Sequence, residues 1–286
     1  MKIIKYFFEY IFTITSFGLF KILGVKQSSM LGGKIFEIIG PLFRSKKIIH
    51  SNIKRALPDI NNDNLIKITK QMWNNYGRVF AEYIFIKDFR EGKLGSSILI
   101  EGQEIIDDII KNKKQVIFIS GHIANFELMA MHLEKSGINL SAIYRPLNNI
   151  FLNSRMEEIR KNYICKNQIK KGLGGIKNLI GLIKKNFSTA LMIDQRVSEG
   201  ILSDLFNEKA LTTTIPAQLV KKFNMPIVPV RIERIEDIKF KITISDEINF
   251  DKSTSVQEIT DKLNIILEKM ILNRPEQWIW SHNRWK

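Results

Sequence analysis

The residues with the clearest capacity for chemistry lie in one short block. Val116-Ile117-Phe118-Ile119 reads as a buried strand, Ser120-Gly121-His122 follows it, and Glu127 stands five positions beyond the histidine. An imidazole exchanges protons near neutrality, and a carboxylate on one of its nitrogens fixes the tautomer and raises the basicity of the other, as a general base requires. On a continuous helix, positions five apart are separated by roughly 140° around the axis and do not face each other. His122 is therefore expected in the loop ahead of a helix, with Gly121 permitting the turn and Glu127 reaching back to an imidazole nitrogen. The same spacing also fits a strand-end histidine that caps a helix beside an unrelated surface glutamate.

Other chemistries find less support. With a single cysteine, Cys165, four histidines and no CxxC pair, neither a disulfide framework nor a structural zinc site is expected, and no metal ligand set stands out. No nucleophile elbow is present, and Cys165 has no paired histidine, so a covalent enzyme intermediate is not expected. The stretch Lys171-Gly172-Leu173-Gly174-Gly175-Ile176-Lys177 lacks the last glycine of a dinucleotide fingerprint, and the phosphate-loop spacing is absent. It reads as a turn before a helix.

These residues must be positioned by a framework, and the apolar patterning supplies one. Ser97 to Ile100, Val116 to Ser120, Leu140 to Tyr144, Thr189 to Ile193 and Ile227 to Ile232 read as buried strands. Between them Ile105 to Lys111, Asn125 to Lys135, Ile150 to Tyr163, Gly175 to Lys185 and Pro216 to Phe223 read as helices, and an amphipathic helix runs from Asn64 to Phe85. The alternation predicts an α/β fold, a mainly parallel central sheet flanked by helices, with an N-terminal hydrophobic helix. Ligands of such sheets collect outside the carboxyl ends of the strands, where both His122 and Asp194-Gln195 fall.

Over 286 residues, 44 Lys and Arg stand against 29 Asp and Glu, a net charge of +15, and 44% of the chain is hydrophobic. Such a chain buries a core, which excludes extensive disorder, and its basic surplus points to a polyanionic partner. Candidate basic clusters are Arg44-Lys46-Lys47, Lys111-Lys113-Lys114, Lys170-Lys171 and Lys184-Lys185, each of which also reads as a solvated helix end. From Tyr6 to Val25 only Glu9 and Lys21 are charged. The stretch reads as a retained membrane anchor or an interfacial helix, and spanning and lying on the bilayer both remain open. Burial in the protein's own core is a further reading, and Glu9 counts against a cleavable signal peptide. The chain is divided into residues 1–25, the anchor or interfacial helix, and residues 26–286, a catalytic domain. Nucleic-acid binding rests on charge alone and lacks any recognition motif.

Five ordered blocks together carry a resemblance: Gly121-His122, Asn125 and Glu127 as GHxxNxE; Tyr144-Arg145-Pro146 and Asn148; Asp194-Gln195; the Phe- and Thr-rich segment Leu205 to Thr212; and the ending from Pro275 to Lys286. In these the chain resembles the lipid A biosynthesis acyltransferases of the lauroyl/myristoyl type, within the HxxxxE-type lysophospholipid acyltransferase superfamily. Arg155, Arg160 and Lys170-Lys171-Gly172 match the basic stretch of that family. Two departures concern the acceptor side. The usual DQD reads Asp194-Gln195-Arg196 here, and Asn207-Glu208-Lys209 occupies a loop that usually carries glycine.

The resemblance implies transfer of a fatty acyl group from the thioester of an acyl carrier protein to a hydroxyl of a phosphorylated glycolipid, with no cofactor, at the cytoplasmic face of the bacterial inner membrane. The expected partners are acyl carrier protein, the glycolipid and an anionic membrane, with no nucleic acid. His122 and Glu127 are the expected catalytic pair, and Asn125, Arg145, Arg160, Lys171, Asp194 and Gln195 the substrate-binding set. Arg145, Arg160 and Lys171 are expected to hold phosphates, and Asp194 one of these cations or a sugar hydroxyl. Backbone amides, Arg145 or Arg160 would stabilise the oxyanion, while pairing with Glu157 or Glu158 accounts for Arg160 equally well. Phe118, Phe126, Leu128, Met129 and Met131 are candidates to line an acyl pocket. Related acyltransferases leave another glycolipid or an aminolipid open as acceptor.

Overall fold

The computed structural model describes residues 2–286, the side chain of Leu173 excepted. Four helices lead the chain, α1 (Lys2–Leu23), α2 (Val25–Phe43), α3 (Lys46–Ala56) and α4 (Asn62–Glu82), followed by the short α5 (Ile86–Arg90). Strands and helices then alternate through β1 (Ile98–Glu101), α6 (Gln103–Lys111), β2 (Ile117–Ser120), α7 (Glu127–Lys135), β3 (Leu140–Tyr144), α8 (Ile150–Tyr163), β4 (Asn167–Lys170), α9 (Leu173–Ile183) and β5 (Ser188–Met192). A hairpin of β6 (Ile201–Leu205) and β7 (Glu208–Thr212) precedes α10 (Ile215–Phe223), β8 (Ile227–Glu236), β9 (Lys239–Ile244) and α11 (Val256–Asn273).

Seven strands form one sheet in the order β1-β9-β8-β2-β5-β3-β4. From β8 to β4 every pairing is parallel, whereas β9 runs antiparallel to β8 and carries β1 with it. The sheet is thus mainly parallel, with two strands at one edge reversed. β2 is buried on both faces, as its uninterrupted apolar run requires. Because β5 inserts between β2 and β3, two segments distant in sequence end side by side at the carboxyl edge.

Four strands escape the pattern reading for physical reasons. β4 sits at the sheet edge and contributes one buried residue, Ile169. The β6–β7 hairpin turns on Phe206 and Asn207, both at positive φ (54° and 59°), a two-residue turn whose twist suits a hairpin even though neither residue is glycine. In β9 the alternation Phe240, Ile242, Ile244 faces the core, and the strand follows β8 directly through a turn with Asp237 at φ 41°. α11, likewise unread, opens on a capping box in which Ser255 and Glu258 satisfy each other's backbone amides.

α2 and α4 cross at glycines. A Cβ on Gly77 would lie 2.1 Å from the carbonyl oxygen of Gly32, so only glycine lets the backbones approach this closely. α4 in turn delivers Glu82 to the middle of the molecule, where it is fully buried.

Candidate active site

The β2–β5 register builds the centre. Ser120 pairs with Met192, and Ile193 N–H donates to the Ser120 carbonyl at 3.0 Å. Two residues further along each strand, His122 therefore meets Asp194. Nδ1 of His122 lies 2.8 Å from Asp194 Oδ1, and the His122 backbone N–H donates to Oδ2 at 2.9 Å. The indole N–H of Trp278 donates to the same Oδ2 at 2.9 Å. Facing an ionised carboxylate, Nδ1 carries the proton and Nε2 keeps its lone pair, and no hydrogen bond among the described residues falls on Nε2. The imidazole side chain retains 20% exposure, while Asp194 retains 2%.

Burial opposes charge on both groups, and their mutual attraction overcomes it. The His122 pKa is raised, because the Asp194 charge and hydrogen bond outweigh desolvation, with Glu127 adding to the rise and Arg160 opposing it. Desolvation likewise works on Asp194, yet the His122 charge and the donated hydrogen bonds hold its carboxyl down at about 2.

The loop after β2 is shaped by close approach. Gly121 has no positive φ; a Cβ there would lie 3.0 Å from Leu267 Cδ1 and 3.4 Å from Asp194 Cβ, so its small size serves contact with Asp194 rather than a special turn. Ala124 takes the left-handed conformation, φ 47°, held by its N–H on the Gln277 carbonyl at 3.0 Å.

Glu127 does not carry the carboxylate bonded to His122. It opens α7, and its Oε1 accepts from Arg160 Nε at 2.9 Å and Nη2 at 2.5 Å. A guanidinium with two donors on one side is the stronger competitor for that carboxylate. Arg160 also lies over the Tyr144 ring, 5.6 Å from its centroid. Neither Glu157 nor Glu158 holds Arg160: Glu157 accepts from Tyr144 and Asn153 and pairs with Lys170, and Glu158 pairs with Arg155. Asp194 likewise holds an imidazole instead of a cation or a sugar.

The expected substrate-binding residues divide by position. Asn125 is fully buried and donates to Glu82 Oε2 at 3.0 Å, an interior brace instead of a group facing a ligand. Arg145 and Lys171 are exposed, and the pairing of Tyr144 with Lys170 sets them side by side at the carboxyl ends of β3 and β4. Arg160 is spent on Glu127 through two of its nitrogens, so it does not join them. Gln195 borders a cleft of about 380 Å³ lined by Phe36, Phe43, Trp73, Tyr76 and His282. Of the residues expected to line an acyl pocket, Phe118, Leu128, Met129 and Met131 are buried in the core, and only Phe126 reaches the site, edge-on to His122 at 4.7 Å between ring centroids. Arg196, the cation in place of an acid, turns away, with Nε on the Lys286 carbonyl.

Two contributors lie beyond the reach of spacing arguments. Trp278 belongs to a C-terminal segment that closes the core, with Trp280 and Arg284 also fully buried, but its indole N–H touches Asp194. Glu82 collects Ser29 Oγ, Asn125 Nδ2 and both terminal nitrogens of Arg234, at 2.6 to 3.0 Å. This buried cluster ties α2, α4, β8 and the loop after His122 together. No group of three or more His, Cys, Asp or Glu suited to a metal ion occurs among the described residues.

Comparison with known proteins shows the family of the chain. Over 254 residues the chain is 22% identical to the lipid A biosynthesis lauroyltransferase of Escherichia coli strain K12, covering 85% of this chain and 79% of that protein. It is 22% identical over 264 residues to the lipid A biosynthesis palmitoleoyltransferase of the same strain, covering 90% and 84%. The model of the bacterial lipid A biosynthesis acyltransferases matches residues 1–286, the whole length, and the chain belongs to that family.

Proposed function

We propose that this acyltransferase moves a fatty acyl chain from acyl carrier protein to a hydroxyl of a phosphorylated glycolipid, with residues 26–286 as the acyltransferase domain and residues 1–25 as its membrane-binding helix. The reading is carried by one observation: an imidazole held by a buried aspartate, its Nε2 unspent, at the carboxyl edge of the sheet. In the reaction, Nε2 takes the proton of the acceptor hydroxyl as its oxygen attacks the thioester carbonyl. The tetrahedral oxyanion then collapses, the carbon–sulfur bond breaks, and the departing thiolate receives the proton from the imidazolium. Arg160, fixed by Glu127, carries a charge that acts on His122, and its remaining nitrogen supplies the oxyanion donor. Arg145 and Lys171, exposed together, take the acceptor phosphate, and the acidic carrier protein and anionic lipids of the cytoplasmic face of the inner membrane suit the charge of +15.

Purified protein supplied with acyl carrier protein thioester and a phosphorylated glycolipid should yield an ester-linked product by mass spectrometry, and His122→Ala should lose on the order of 10²–10⁴-fold in rate. Equal use of a dephosphorylated acceptor by the wild type would remove the phosphate role of Arg145 and Lys171. Transfer unaffected by His122→Ala would remove the mechanism.

A further inference from the structure

α1 is long and apolar enough to cross a bilayer, yet it is bound to the body of the protein along one side. Tyr6, Tyr10, Thr13, Phe17 and Phe20 follow one another at helical spacing and form its inward stripe. At one end Tyr10 and Phe7 meet Phe151 with ring centroids 5.9 Å apart, and the buried Asn149, which caps α8, donates to the Tyr6 carbonyl at 2.9 Å and to Glu9 at 3.1 Å. At the other end Phe17 and Phe20 pack on Phe80 of α4, and Lys21 pairs with Asp88 at 2.8 Å.

The opposite side is open. Ile4, Phe8, Phe12, Leu19 and Ile22 are between 52% and 85% exposed, and only 6% of the apolar stretch is buried, so α1 is not a core helix. α2, which packs on the same Phe80 through Phe36, exposes Ile38 and Leu42 at 77% and 84%. Over residues 1–47 eight Lys and Arg accompany two acids, Glu9 and Glu37. Apolar side chains bordered by cations match a bilayer surface with anionic headgroups, better than they match a second basic copy of this chain.

We propose that α1 lies in the plane of the membrane interface, its outer face together with the exposed side of α2 forming the docking surface, and does not span the bilayer. The contacts from Tyr6 to Lys21 extend over about 22 Å of helix axis. Were α1 to cross a hydrocarbon layer about 30 Å thick, that length of contact would carry Asn149, Glu9 and the Lys21–Asp88 pair into the layer with it. Lying flat, the helix buries its open side and keeps its aromatic stripe and its polar contacts on the protein. This inference rests on the membrane association proposed above.

The test uses full-length protein with a fluorescent label at Ile4→Cys, Ile11→Cys or Ile22→Cys, one at a time. Cys165 stays in place, because burial pushes its thiol up to about 12 and shields it from the label. Protein bound to phosphatidylethanolamine–phosphatidylglycerol vesicles is then quenched by lipids carrying the quencher at shallow or deep positions of the acyl chain. Three labels at one shallow depth are the expected result. Ile4 and Ile22 are about 27 Å apart along the axis, so labels near opposite headgroup layers with Ile11 deep between them would overturn the flat orientation while leaving membrane association intact. Labels untouched by any lipid quencher, or protein that does not float with the vesicles, would overturn both. Acyl transfer, measured separately in detergent, distinguishes either failure from a failure of the catalytic reading.

Discussion

Asp194 holds His122 at two points: one carboxylate oxygen accepts from the imidazole Nδ1 and the other from the histidine's own backbone N–H. The side chain and the loop that carries it are thus locked to one group. Asp194→Asn removes the charge and leaves a side chain that can also donate to Nδ1, favouring the wrong tautomer. We expect kcat to fall at least 100-fold, within the range for losing a general base, and by more than for Glu127→Gln, as steady-state transfer kinetics would read out.

The pH profile follows from signs. Only neutral His122 acts as base, so the rate should fall as pH drops through the His122 pKa, which lies above the ordinary value of about 6.5. Asp194→Asn should move this acidic limb to lower pH. Glu127→Gln removes a charge that raises the pKa and should move the limb the same way, whereas Arg160→Met should move it upward. For stability, the raised His122 pKa contributes fully below the unfolded value and is lost as pH rises through the folded one. The lowered Asp194 contributes above its unfolded value and is lost as pH falls towards about 2. A limb that ignores all three substitutions would separate the titrating group from His122.

Trp278→Phe preserves most of the ring and deletes the N–H that fixes Asp194. A hydrogen bond to a charged group contributes roughly 1.5–3 kcal/mol, so about a tenfold or larger loss in kcat is expected. Unshared, the carboxylate acts more strongly on the imidazole, and the acidic limb should rise in pH. A purely structural tryptophan would lower the folded fraction without moving the limb.

The Glu82 cluster should behave as a stability element. Arg234→Met leaves a buried carboxylate without its main partner, at a cost of about 3–5 kcal/mol. Chemical denaturation would record it, and replacing Glu82 and Arg234 together by apolar residues should recover part of the loss.

Glycine substitutions provide a contrast. Gly77→Ala drives a methyl into the Gly32 carbonyl and should destabilise by roughly 1–3 kcal/mol. Gly181→Ala in α9 meets nothing within 4 Å and should stabilise by about 0.5–1 kcal/mol. Thermal midpoints shifting in the same direction would contradict the close helix crossing.

The sequence by itself determined what depends on neighbours along the chain. Strand β3 and helix α8 coincide with their apolar patterns, the mainly parallel character follows from the alternation, and the placing of His122 at a strand end needed only the run Val116 to Ser120 and the helix after it. Asp194 was visible as an acid at another strand end. Its bond to His122 was not, because that depends on β5 inserting beside β2, a pairing between segments 72 residues apart set by packing of the whole sheet. For the same reason the HxxxxE spacing suggested the wrong partner for the imidazole: Glu127 is close in sequence, but Arg160, brought in by α8, takes its carboxylate. Trp278, Glu82 and Arg234 also enter through long-range contacts, and no local periodicity encodes them. The apolar character of α1 was plain from composition, whereas the polar contacts that bind it to α8 and α5 exist only once the chain is folded.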